Sequence, residues 1–390
     1  MIVETPPDTS LAPPSEVEAP ITATPEAAEE RVSVASQWQL MWWRFRKHRL
    51  AIASAVIIGI FYTVVVFADF FAYSDPYDSD ANRALLSPQA LHLFDQGQFL
   101  GPFVYGIKGE RDATFKKVYV EDKTKRTPVR IFAQGYPYKI LGLIPWDRHL
   151  FGVEGARAEE TLFILGTDVQ GRDQWSRIVY ATRTSLTVGL AGVALSLFLG
   201  VLLGGLAGFY GGWVDTVINR AIEILGSVPA IPLWMGLAAA MPARWDVIQV
   251  YLVITVLLAL LRWTGLARQV RGRFLSLRNE DFVTAAELSG AGPRRIIFVH
   301  LVPLFLSHII AVTTLALPGM IIAETSLSFL GLGLRPPAIS WGILLQQAQN
   351  LQTVALSGWL MLPAVPVTIS ILAFNFLGDG LRDAADPYGI

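Results

Sequence analysis

The sequence predicts an all-α polytopic membrane protein of six transmembrane helices, with an extracytoplasmic, partly β insert between helices 1 and 2. Three observations carry this prediction. The 390 residues are 53% hydrophobic and 16% charged, with a mean hydropathy of +0.45, too apolar for a soluble globule. The apolar residues are gathered into runs of about 20, the length that crosses a ~30 Å hydrocarbon layer. Polar, Pro- and Gly-punctuated segments separate the runs, and one of these, 72–183, is long enough for a small compact unit.

The same composition excludes several functions. A net charge of -1 argues against a nucleic-acid partner. With no cysteine there are no disulfides, thiolate metal ligands or Cys nucleophiles. No lysine follows a glycine, so no phosphate-cradling P-loop exists and any ATP chemistry belongs to another chain. His48, His92, His149, His300 and His308 are scattered, with no HExxH, no GxSxG and no carboxylate pair at useful spacing. No catalytic residue, resident metal or cofactor is expected.

Taken in order, residues 1–36 are Pro-rich and acidic and predict a disordered cytoplasmic tail. Residues 37–71 predict an interfacial helix and the first span. Trp38, Trp42 and Trp43 sit beside Arg44, Arg46, Lys47 and Arg49; indoles favour the headgroup level of membrane lipid, and the cations favour the cytoplasmic side. The N-terminus is then cytoplasmic and 72–183 extracytoplasmic. Within that insert Phe115–Val120 and Val129–Phe132 are β-prone, with the charged run Glu121 to Lys125 between them as a turn.

The membrane core occupies 184–390. Its spans are expected near 184–209, 217–240, 247–266, 304–323 and 356–378. The first of these carries Gly189, Gly192, Gly200, Gly204, Gly205 and Gly208, a spacing that suits close helix packing. The next is interrupted by Pro229 and Pro232, which kink a helix where it lines a cavity. Glu223 and Glu324 fall inside predicted spans and are candidates for the pathway or for an interhelical bond. Residues 334–355 predict an external re-entrant loop. An even number of spans returns the C-terminus to the cytoplasm.

The most informative polar interruption is the loop 267–303. Arginines crowd it and its approach (Arg262, Arg268, Arg271, Arg273, Arg278, Arg294, Arg295), which places it in the cytoplasm. Within it, small residues Ala285 and Ala286 precede Gly290, Gly292 and Pro293. Small residues permit close approach of another surface. The pattern fits a knob that docks into a partner, and equally a plain helix-turn-helix joining two spans.

These residues carry a resemblance. Thr284-Ala285-Ala286, Gly290 and the closing Val302-Pro303 resemble the "EAA" coupling motif of permease subunits of binding-protein-dependent ABC importers, with Thr284 where the family has glutamate. Gly166-Thr167-Asp168-Val169-Gln170-Gly171-Arg172-Asp173 is similar to the segment preceding the second span in one branch, the C-type subunits of dipeptide, oligopeptide and nickel importers. On residues alone that string reads as a tight acidic turn, or as a metal or phosphate loop. Leu377 to Asp383 and Asp386-Pro387 also match, and the resemblance covers 38–77 and 160–390.

The resemblance implies a type I ABC importer permease fold in a bacterial or archaeal plasma (inner) membrane. It also implies Thr284, Ala285, Ala286, Gly290 and Pro303 as the ATPase-coupling residues. Expected partners are a second homologous permease subunit, two ATP-binding cassette subunits and an extracytoplasmic substrate-binding protein. Peptides are the expected cargo, with nickel complexes or oligosaccharides as alternatives. A stand-alone secondary transporter or channel, and a membrane-anchored receptor, are the competing classes. The first of these would show an inverted repeat and mid-span polar residues, and the second would not need the docking loop.

Overall fold

A computed structural model describes residues 37–111, 117–140, 142–153, 162–242 and 244–385. The expected tail 1–36, Phe115 and Asp386-Pro387 lie outside the described residues.

Helix α1, Gln37–Phe45, leaves Trp38, Trp42 and Trp43 exposed, as an interfacial helix must. His48 then caps α2, Arg49–Val66, its Nδ1 accepting the Ala51 N–H at 3.1 Å. One face of α2 buries Ala51, Ser54 and Ile58, while Ile52, Val56 and Ile60 on another face remain exposed. In a bilayer that exposed face meets lipid tails at no cost.

The core helices are α3, Gln174–Tyr210; α4, Gly212–Ser227; α5, Ala230–Ala239; α6, Val247–Leu277; α7, Asp281–Leu288; α8, Leu306–Phe329; α9, Trp341–Gln346; and α10, Ala364–Ala385. Five helices are long and apolar enough to cross a membrane, and six if the bent pair α4–α5 counts as one span. The central cluster joins Leu186 and Val193 of α3, Ile254 and Leu258 of α6, Met320 and Ile321 of α8, and Trp341 of α9.

Several boundaries differ from those expected. The helix containing the second span starts at Gln174, well before 184, because Asp173 caps it by accepting the Ser176 N–H. At 37 residues and ~1.5 Å each, α3 is about 56 Å long, well beyond the ~30 Å of a hydrocarbon layer. The 31-residue α6 is likewise longer than such a layer and carries Arg268, Arg271 and Arg273 into the region expected to be a loop. The span expected at 217–240 is two helices meeting at 86°, not one kinked helix. Pro229 excludes the helical region for Val228, whose ψ is 126°, while Pro232 lies in the first turn of α5, where no intrahelical N–H bond is needed.

Between α2 and α3 the chain forms β1, His92–Asp95; β2, Gln98–Arg111; β3, Lys117–Ile131; β4, Gln134–Ile140; β5, Ile144–Arg148; and β6, Phe151–Val153. They make an antiparallel four-stranded sheet in the order β1-β2-β3-β6 and a β4-β5 hairpin. The charged run Glu121–Lys125 is not the expected turn. It is a bulge inside β3, where the register jumps from Tyr105↔Arg126 to Gly106↔Asp122. Asp122 stabilises the bulge by accepting from Thr124 N (3.1 Å) and from Lys108 Nζ (2.8 Å). The charge of Asp122 is thereby satisfied without a chain reversal.

Candidate functional site

Three polar constructions stand out against the apolar bundle. The first is the turn Gly166–Asp173. Asp168 is fully buried and accepts from Gln170 N (2.8 Å), Arg172 N (3.0 Å), Arg172 Nε (2.8 Å) and Gln347 Nε2 (3.3 Å). Arg177, also buried, lies 3.5 Å from the same carboxylate and donates its Nη1 to Pro76 O at 3.1 Å. Thr167 donates to Arg83 O and accepts from Leu86 N, and its carbonyl accepts from Trp359 Nε1 at 2.9 Å. Asp173 accepts from Tyr73 OH at 2.6 Å and from Ser176 N at 2.7 Å. Gly171 has φ +75°, and a Cβ there would lie 1.9 Å from Asp80 O. The turn therefore fastens together the chain after α2, the start of α3 and the segment entering α10. Asp168 is spent on arginines, Gln347 and backbone donors, and Asp173 on the Tyr73 hydroxyl and a backbone donor.

Burial opposes ionisation of Asp168, but Arg177 and Arg172 outweigh it and hold the carboxyl below its usual range. Burial pushes Asp173 up to about 6, while Tyr73 and Ser176 pull it the other way.

The second construction is built around Glu324 in α8, which is fully buried. Ser185 of α3 donates to its Oε2 at 3.0 Å, and Ser328 donates to its Oε1 at 2.9 Å. Each serine is itself an acceptor: Trp341 N–H bonds Ser185 Oγ and Leu334 N–H bonds Ser328 Oγ, both at 3.2 Å. One carboxyl thus organises α3, α8 and the start of α9. The segment expected as a re-entrant loop contains α9, whose Trp341, Gly342, Ile343 and Leu344 are buried in the bundle. Of the two roles expected for Glu223, pathway or interhelical bond, the second is not seen among the described residues. Its side chain is largely exposed and pairs at 2.7 Å with Arg220 on its own helix, so it makes no interhelical bond among the described residues. An amphipathic helix that ends at the break simply turns this charged face outward.

The third construction is α7. Val283 is its one buried residue, packed with Phe274, Ile296, Leu301 and Phe305. Thr284, Ala285 and Gly290 are exposed and Ala286 partly so; Pro303 is exposed one turn beyond a π-helical stretch, Ile296–Leu301. Leu288 is 86% exposed. The helix ends in a Schellman motif: Gly290 N–H bonds Glu287 O at 2.9 Å and Ala291 N–H bonds Ala286 O at 3.0 Å. This closure needs φ +82° at Gly290, the left-handed region that glycine alone enters freely. A Cβ at Gly290 would meet open space, so backbone conformation and not crowding demands glycine here.

Below α7, Arg271 of α6 forks onto Asp215 of α4, with Nη2–Oδ2 at 2.6 Å. Sequence reasoning missed this pair because 56 residues separate its members. It also missed Arg262, taken only as a flanking charge; its signal was the apolar stretch that continues to Ala267 before the next arginine.

Together these features define a multi-pass helical membrane protein whose polar groups hold helices together and present a short helix outward. Among the described residues no His, Cys, Asp and Glu group could hold a metal. Residues 200–388 match the family described as binding-protein-dependent transport system inner membrane component, and 36–88 match the N-terminal TM domain of oligopeptide transport permease C. The chain is 39% identical over 236 residues to the oligopeptide transport system permease protein OppC of Haemophilus influenzae, spanning 60% of this chain and 73% of that protein. It is 39% identical over 224 residues to the dipeptide transport system permease protein DppC of Bacillus subtilis, spanning 57% and 68%. A solved structure of the MetNI methionine ABC transporter in inward facing conformations overlays with a TM-score of 0.38 at 18% identity, over 53% of this chain and 94% of that one.

The chain belongs to the family of binding-protein-dependent transport system inner membrane components. It is a multi-pass inner-membrane permease component and not an enzyme.

Proposed function

We propose that the chain forms half of the translocation pathway of an ATP-driven peptide importer and that α7 is its joint to the ATPase. The single observation that carries the coupling role is the construction of α7. It is rooted by Val283 in an apolar cluster, closed by Gly290, and exposes Thr284, Ala285 and Leu288. A joint that transmits force must be stiff at its base and open at its tip. Peptide cargo follows from the relatives, an oligopeptide and a dipeptide permease.

In this reading a second, homologous permease subunit completes the pathway. Two ATP-binding cassette subunits sit beneath it, and an extracytoplasmic substrate-binding protein delivers the peptide. N- and C-termini face the cytoplasm, with six spans between them and the strand-bearing insert outside. Closure of the ATPases on ATP carries α7 with them. Because α7 is rooted between α6 and α8, its displacement rocks the spans and alternates access.

The test uses Gly290→Trp. A tryptophan there is strained by φ and projects into the docking face. The variant is expected to reach the membrane and retain its partner permease, but to lose ATP-dependent uptake. Since the chain has no cysteine, Ser289→Cys provides a unique crosslinking handle on the same face. Normal uptake by Gly290→Trp, or failure of the Ser289→Cys variant to crosslink to any P-loop ATPase in membranes, would sink the coupling role. In the latter case a transporter working alone becomes the better reading.

A further inference from the structure

A cavity of about 470 Å³ opens among α3, α6 and α8 and reaches Arg382 of α10. Its ionisable lining consists of Arg262, His308 and Arg382, with no carboxylate; Ser196, Gln269 and Thr313 add polar groups. The adjoining cavity brings Asp379 and Asp383 to the Arg382 end. Among the described residues no carboxylate lines the cavity beside Arg262. At ~1.5 Å per residue it lies about 22 Å along α6 from the outer end, inside a ~30 Å hydrocarbon layer.

A cation at that depth is costly unless a partner or water meets it. Among the described residues the hydrogen bond of Arg262 is from Nη2 to Gly319 O at 2.8 Å, beside Pro318, which interrupts α8. A guanidinium carries five donors in a planar fork. The side chain lines the cavity, and the described residues take up one of these donors. Thr313 also lines this cavity, with its Oγ1 enclosed in the wall and without a hydrogen-bond partner among the described residues. The remaining polar neighbours are occupied, Ser196 by Ala259 O and His308 by Gln269 Oε1. Among the described residues the wall thus offers a cation with no carboxylate partner, and no negative charge.

We infer that this cavity is a carboxylate subsite of the pathway, in which Arg262 takes the carboxylate of the passing molecule through a bidentate pair. The inference rests on the importer reading for the identity of its ligand, a peptide with a free C-terminal carboxylate. The cavity volume falls in the range of small-ligand sites. A carboxylate held there also neutralises a charge that otherwise burdens the empty pathway.

The experiment compares one dipeptide as free acid and as C-terminal amide. ATP-driven uptake by the assembled transporter in proteoliposomes is measured for wild type, Arg262→Gln and Arg262→Lys. Any discrimination by the external binding protein is common to all three and cancels in the ratio of acid to amide uptake. Equilibrium binding of the same two compounds to the purified full chain in nanodiscs is measured alongside. Arg262→Gln is expected to lower the acid-to-amide ratio by roughly tenfold or more, with Arg262→Lys intermediate. An unchanged ratio in Arg262→Gln, with both compounds slowed equally, overturns the subsite and leaves Arg262 a structural residue. Loss of the second permease from the Arg262→Gln complex, with the ratio preserved on binding, also overturns it and assigns the cation to a carboxylate of that subunit. If wild type shows no uptake, the nanodisc measurement decides: an acid preference lost in Arg262→Gln supports the subsite while the importer reading fails. No acid preference in wild type overturns the subsite.

Discussion

Asp168 and Asp173 stand in one turn, yet their environments assign them opposite pH behaviour. Asp168 is held below the usual carboxylate range by Arg177 and Arg172 despite its burial. Its stabilisation is complete above the unfolded pKa of about 4 and is lost as pH falls through the lower folded value. Asp173 is pushed up to about 6 by burial. Its contribution is greatest below about pH 4 and is lost as pH rises through about 6. Thermal unfolding of the detergent-purified chain between pH 4 and 7 should therefore show a downward slope that Asp173→Asn reduces; an unaltered slope would contradict the assignment. Asp168→Asn removes the charge that faces buried Arg177 and is expected to cost about 3–5 kcal/mol at pH 7, read as a lowered unfolding midpoint. Of this site the sequence shows the string Gly166–Asp173 and its resemblance. It does not show Tyr73, Pro76, Leu86, Gln347 or Trp359, because those partners come from 80 to 190 residues away along the chain, roughly the separations of Leu86 and Trp359 from Thr167.

Among the elements, α3 and α6 form the most extensively packed helix pair. Their seam is lined by Gly200, Gly204 and Gly208, spaced one turn apart. A Cβ at Gly204 would lie 2.5 Å from Ala267 O, and one at Gly208 would lie 2.8 Å from Arg271 O. Backbone cannot yield as a side-chain tip can, so the helices would have to separate. Gly226 of α4 is also helical, but nothing lies within 4 Å of its added Cβ. Gly204→Ala is expected to destabilise the chain by about 1–3 kcal/mol, whereas Gly226→Ala should be neutral or stabilising by up to ~1 kcal/mol through helix propensity. Equal midpoints for the two variants in thermal unfolding would refute the seam. Sequence spacing alone had pointed to close packing in this helix, because small residues at four-residue intervals share a face. It could not distinguish which glycines touch a neighbour or name that neighbour. The broken span follows the same logic. Pro229 and Pro232 announce an interruption, but the 86° turn depends on where α5 finds its packing, against α6 and α8.

For the whole molecule, the apolar run lengths made a helical membrane bundle legible, because the bilayer imposes its thickness on the chain. Orientation depends on a subtler signal, the arginines gathered around 268–295 and the tryptophan-cation cluster of α1. The structure supplies two exposed reporters that test it. Leu143, at the β4–β5 hairpin, is 80% exposed, and Leu288, at the tip of α7, is 86% exposed. The chain has no cysteine, so Leu143→Cys and Leu288→Cys each introduce one thiol at a surface position away from the polar clamps. If α7 faces the cytoplasm and the hairpin faces outward, a membrane-impermeant maleimide should label Leu143→Cys in spheroplasts and Leu288→Cys in inverted vesicles. An odd number of membrane crossings must separate the two positions for this outcome. From the hairpin to α7 the chain contains α3, the α4–α5 pair and α6. The labelling therefore also decides whether the bent pair crosses: three crossings put the reporters on opposite sides, whereas a re-entrant α4–α5 leaves two and puts them on the same side. Labelling of both thiols from one side would thus refute the six-span topology. Protection of Leu288→Cys in inverted vesicles only when ATPase subunits are present would, in the same experiment, locate their docking surface on α7.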